Sequence, residues 1–154
     1  MKAKKILLVD DDGLVLSTFG KGLKDNGYRV SMVDSGEQAV RLVRNESSFD
    51  LAILDMRMPG LSGIETAKVL AQFNVPVIFL SAYDDEADVK QAVTEGALAY
   101  LVKPIDVEKA VPTIETALQR AMEIRVLRDT EIRLDSALET GNLVNVVVGI
   151  LMER

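Results

Sequence analysis

The apolar positions of this chain fall into two textures. Short, mostly apolar runs occupy residues 6–9, 28–33, 51–54, 75–80 and 98–102. Between them, residues 14–26, 37–45, 64–73 and 86–95 repeat their apolar positions every three to four residues, and a last such pattern begins at 107. Runs of four to six apolar residues read as strands buried on both faces, and the longer patterns read as amphipathic helices. Gly27 and Gly96 stand where helix C-caps are expected, and Asp106 stands where the last helix needs an N-cap. Strand–helix repeats with short links predict an α/β fold, a doubly wound five-stranded parallel sheet with helices on both faces. The expected strand order is 2-1-3-4-5, flavodoxin-like, with a crevice where the order reverses between strands one and three.

From residue 107 no further strand is predicted. Ile114, Leu118 and Ala121 keep helical spacing, and Ile124, Leu127, Leu134 and Leu138 resume it in a shifted frame, as at a stutter in a coiled coil. Pro112 lies too deep to be the first helical residue, so a bend is expected there. Gly141-Asn142 is expected to break the helix, and residues 143–152 are strongly apolar. The reading is a compact domain over 1–122 and a helical extension over 123–154, with a homodimer expected through the C-terminal helix.

Composition narrows the function. Nearly half of the 154 residues are hydrophobic, enough for a full core, and the net charge is −6, which argues against a generally basic nucleic-acid surface. Cysteine is absent, which fits a cytoplasmic setting, and no apolar run reaches membrane-spanning length. Histidine is absent too, so the chain has neither an imidazole base nor a phosphohistidine of its own.

The chemistry sits at the predicted strand ends. Strand three stops at Asp55, followed by the turn Met58-Pro59-Gly60. Strand one ends in Asp10-Asp11-Asp12 and should lie beside strand three, so Asp10 and Asp11 should face Asp55. Three close carboxylates repel one another, and a hard divalent cation such as Mg²⁺ relieves this most simply. Strand four ends at the Ser81 hydroxyl and strand five at Lys103-Pro104. Carboxylate, metal, hydroxyl and ammonium together make a phosphoryl-transfer site.

Val9-Asp10-Asp11, Leu54-Asp55-Met56-Arg57-Met58-Pro59-Gly60, Leu80-Ser81-Ala82 and Val102-Lys103-Pro104 resemble the four signatures of two-component response-regulator receiver domains of the CheY type. The resemblance implies that Asp55 is the phosphoacceptor, taking its phosphoryl group from a sensor histidine kinase or a phosphotransfer protein. It implies Mg²⁺ held by Asp10, Asp11, Asp55 and the backbone carbonyl of Arg57. Ser81 and Lys103 would bind the phosphoryl oxygens, Tyr100 would reorient when Ser81 shifts, and Pro104 would follow a cis peptide. Such a protein is a signalling device rather than a turnover enzyme, its own chemistry limited to self-phosphorylation and autodephosphorylation.

Farther on, Asp135-Ser136-Ala137-Leu138-Glu139 and Gly149-Ile150-Leu151-Met152-Glu153-Arg154 are similar to the opening of the ANTAR RNA-binding domain of antitermination regulators, and Val111-Pro112 resembles receivers joined to it. That resemblance implies RNA-binding transcription antitermination as output. No basic residue stands near Gly141, however, and Val148 occupies a lysine position. A standalone or DNA-binding regulator is the alternative output. A rival class is a haloacid-dehalogenase-like phosphatase, whose Asp-x-Asp-Gly loop residues 10–13 resemble, with Asp84-Asp85 as distal metal ligands. In that family the lysine precedes the acidic pair, whereas Lys103 follows it, and Asp55 would have no role. A purely structural dimer module with a vestigial pocket is the third reading.

Overall fold

A computed structural model describes residues 3–46, 48–82 and 86–140. Five parallel strands, β1 (Lys5–Val9), β2 (Arg29–Val33), β3 (Leu51–Asp55), β4 (Val77–Ser81) and β5 (Ala99–Val102), lie in the order β2-β1-β3-β4-β5. They alternate with α1 (Gly13–Asp25), α2 (Gly36–Asn45), α3 (Gly63–Gln72), α4 (Glu86–Thr94) and α5 (Val107–Thr140). This is the expected doubly wound sheet.

The pleat sends alternate residues of each strand to opposite faces, and the core divides accordingly. Leu7, Val9, Leu54 and Phe79 pack with Ala39 and Val43 of α2 and with Ile64 and Leu70 of α3. Ile6, Leu8, Ile53 and Leu80 pack with Phe19 and Leu23 of α1 and with Ala110 and Ile114 of α5. Every residue of β1, β3 and β4 is buried. That explains their unbroken apolar runs, each large side chain contributing about 1.5–3 kcal/mol by leaving water. β5, at the sheet edge, alternates instead, with Tyr100 and Val102 facing out.

Three strands start later than the apolar runs predict, and turn hydrogen bonds give the reason at two of them. The Tyr28 N–H donates back to Leu23 O across Gly27, whose φ is +93°. The Val75 N–H donates to Leu70 O after Asn74 at φ +60°. Each amide closes the preceding helix and is spent before the strand begins. Leu98 also stands just outside β5, although its N–H already reaches Val77 O. Asp106 caps α5 as expected, accepting from the Glu108 N–H at 3.0 Å. Pro112 lies within α5.

The chain divides into two compact units, the first ending at Leu118 and the second beginning at Gln119. In the second unit, Met122, Ile124, Val126 and Leu127 are each about half exposed. The expected break at Gly141-Asn142, the apolar segment 143–152, the motif at 149–154, the acidic pair Asp84-Asp85 and the side chains of Leu134, Asp135, Leu138 and Glu139 lie outside what is described. Among the described residues no helix is long and apolar enough to cross a membrane.

Candidate phosphoacceptor site

The sheet order makes β1 and β3 neighbours, with Val9 opposite Leu54. Both strands end there, and their next side chains converge. Oxygens of Asp10, Asp11 and Asp55 all lie within 4.8 Å of one another. Asp10 is fully buried, Asp55 is nearly so, and Asp11 is exposed at the mouth. Asp12 turns away to cap α1, its carboxylate accepting from the Leu14 N–H at 2.9 Å, while its own N–H donates to Asp10 Oδ1.

The other side of the site comes from β4 and β5. Asp55 lies opposite Leu80, so Ser81 is one residue farther along the adjacent strand, and it is buried. The Lys103 N–H donates to Ser81 O at 2.7 Å, which fixes where the lysine leaves the sheet. The Lys103–Pro104 peptide is cis. Lys103 Nζ lies 2.7 Å from Asp10 Oδ2 and 3.4 Å from Asp55 Oδ2. Tyr100 sits on β5, partly exposed, three residues before Lys103.

Behind Asp55 the chain turns tightly. The Gly63 N–H donates to Met56 O at 3.2 Å, and a Cβ at Gly63 would press on Asp55 O and approach Met56 Cα to 2.8 Å. Only glycine lets α3 start this close to the Asp55 backbone. Ser62 and Glu65 form a capping box at that start. Glu37, from α2, accepts from the Leu61 N–H at 2.7 Å and so pins the turn from outside, a bond that holds its carboxyl below the usual range.

Crowding shows in the electrostatics. Burial first, and the neighbouring Asp10 charge second, push Asp55 up to about 6, while Lys103 and the Arg57 N–H pull the other way. Burial pulls the Lys103 ammonium down, but its two carboxylate partners outweigh that and hold it above its ordinary value.

The residues present fit a hard cation. Asp10 Oδ2 is buried and meets Lys103 at a distance, but not an angle, that makes a hydrogen bond, so a lone pair stays unused. Three carboxylates, all oxygen donors, suit Mg²⁺. Asp10, Asp11 and Asp55 would hold it, with the Arg57 carbonyl two residues beyond Asp55.

Residues 6–115 match the response regulator receiver domain family. This chain belongs to that family. The transcriptional regulatory protein PdtaR of Mycobacterium tuberculosis is 33% identical over 153 residues, covering 98% of this chain and 74% of its own. The transcriptional regulatory protein ZraR of Klebsiella oxytoca is 41% identical over 115 residues, covering 73% of this chain but 26% of its own. Among solved structures, a response regulator receiver domain protein from Clostridium thermocellum superposes with a TM-score of 0.73 at 29% identity, covering 79% of this chain and 98% of that one. As a receiver, this protein is a two-component signalling protein whose partner is a histidine kinase or a phosphotransfer protein.

Two residues near the receiver site escaped the sequence reading. Asp88, on α4, receives the Ser81 hydroxyl and the Arg57 guanidinium. Glu37 pins the turn after Asp55. Nothing in the local pattern marks either one, because each is an ordinary acidic residue in the first turn of a helix. The capping box Ser62-x-x-Glu65, by contrast, is written in the sequence and would have set the start of α3.

Proposed function

We propose that this receiver is a phosphorylation switch in which Asp55 accepts the phosphoryl group. The observation that carries the reading is convergence from three strand ends: oxygens of Asp10, Asp11 and Asp55 lie within 4.8 Å of one another, and the Lys103 ammonium reaches both Asp10 and Asp55. In the transfer, an Asp55 oxygen forms a bond to phosphorus as the bond from phosphorus to the donor's imidazole nitrogen breaks. The leaving nitrogen keeps the electron pair. Mg²⁺, when bound, neutralises charge on the carboxylates and the transferring group. Asp10 and Asp11 would hold the ion beside Asp55, Lys103 moves from Asp55 toward a phosphoryl oxygen, and the Ser81 hydroxyl donates to another. The dianion added at Asp55 then biases the face made by β5, Tyr100 and α5. A small phosphodonor with Mg²⁺ should add one acid-labile phosphoryl to the chain and none to Asp55→Asn; modification that persists in that variant would remove the assignment.

For output we propose RNA-binding transcription antitermination. The support is the likeness of residues 149–154 to the ANTAR opening, together with a relative named as a transcriptional regulator that aligns along 98% of this chain. The half-exposed Met122, Ile124, Val126 and Leu127 support a homodimer through the C-terminal helix. Gel shift of structured RNA by the protein, with no shift of duplex DNA, tests the output. Binding of DNA alone would favour the DNA-binding alternative.

A further inference from the structure

Asp88 stands outside the receiver signatures, yet it touches two of them. Its side chain is 13% exposed, on the first turn of α4. Oδ2 accepts from the Ser81 hydroxyl at 3.4 Å, and Oδ1 pairs with Arg57 Nη2 at 3.2 Å. An acid in the first turn of a helix is unremarkable by itself. Here its two oxygens reach two different loops at the phosphoacceptor site, one at the end of β4 and one just past Asp55.

We propose that Asp88 is a positioning residue that holds the Ser81 hydroxyl in its unphosphorylated place and so sets the threshold for switching; the inference rests on the phosphoacceptor reading above. A serine hydroxyl carries one proton. While that proton points at Asp88 Oδ2, it is not available to a phosphoryl oxygen on Asp55. The Arg57 guanidinium orients the Asp88 carboxylate from the other side and keeps Oδ2 aimed at Ser81. A phosphoryl dianion is the stronger acceptor and wins the proton, but the lost Ser81–Asp88 bond subtracts from the stability of the phosphorylated state. Asp88 therefore opposes activation through Ser81, without touching the reacting atoms.

The test uses the full chain with Mg²⁺ and beryllofluoride, a tetrahedral mimic of the phosphoryl group, followed by the ¹⁹F resonance of bound fluoride. Asp88→Ala should bind beryllofluoride about fivefold more tightly than wild type, the size expected for release of one weak charge-assisted hydrogen bond. Asp88→Asn, which conserves volume and one acceptor oxygen, should fall between them. In a Ser81→Ala background, Asp88→Ala should change nothing. Unchanged or weaker binding in Asp88→Ala overturns the proposal, as does an equal gain with Ser81 already removed. A wild type with no bound-fluoride signal, or Asp55→Asn that keeps one, overturns the phosphoacceptor reading, and this inference falls with it.

Discussion

Lys103 Nζ lies 2.7 Å from Asp10 Oδ2, so the lysine at the end of β5 is held by the carboxylate at the end of β1. The same ammonium reaches Asp55 at 3.4 Å. Without metal, that charge offsets part of the repulsion between two buried acids. Lys103→Met should therefore destabilise the metal-free protein by about 2–4 kcal/mol at neutral pH, since it leaves buried carboxylates unpaired. Mg²⁺ should restore much of that loss. Urea denaturation with and without Mg²⁺ checks both.

Asp55 predicts the opposite sign. Its folded pKa, about 6, lies above its ordinary value of 3.8, so between those values the folded state binds more protons than the unfolded state. Stability from this group therefore falls as pH rises from about 4 through 6 and stays lower above that window. Asp55→Asn should stabilise the metal-free protein by about 1–2 kcal/mol at pH 7.5, and should flatten this part of the profile. Melting temperatures across the window test it; a variant less stable than wild type at pH 7.5 contradicts it.

Gly63 allows α3 to begin directly behind Asp55. A methyl group there meets backbone, at Asp55 O and Met56 Cα, and neither can move without shifting Asp55. Gly63→Ala should cost about 2–3 kcal/mol of stability and slow phosphoryl acceptance even below its melting transition. Full acceptance in a fold of unchanged stability would show that the turn has slack.

Much of this was legible beforehand because buried parallel strands leave a plain mark. The unbroken run before Asp55 and the run before Asp10 announced two strand ends, and the order rule made them neighbours. Gly27 and Gly96 marked helix ends, and both have positive φ, +93° and +77°. Strand starts were less legible: Tyr28 and Val75 are apolar residues whose amides close helices, and apolar character does not reveal where an N–H goes. Asp88 and Glu37 were illegible for a related reason. Their roles arise from contacts across the fold, to Ser81 and Arg57 in one case and to Leu61 in the other, and no local spacing records them.

Glu37 offers a test of that kind of contact. Its carboxyl is held low chiefly by the Leu61 N–H, so the bond is present above the usual glutamate range and is lost as pH falls through the lowered value. Glu37→Gln should speed hydrogen exchange at the Leu61 amide while the β3 amides stay protected. Unchanged exchange at Leu61 would mean the turn holds without it.

The central claim is that Asp55, and no other carboxylate of the cluster, carries the phosphoryl group. Borohydride reduces an acyl phosphate and turns the modified aspartate into homoserine. After treatment with a small phosphodonor and Mg²⁺, fragment mass spectrometry should find homoserine at position 55 alone. Homoserine at position 10 or 11, or at none of the three, would contradict the account.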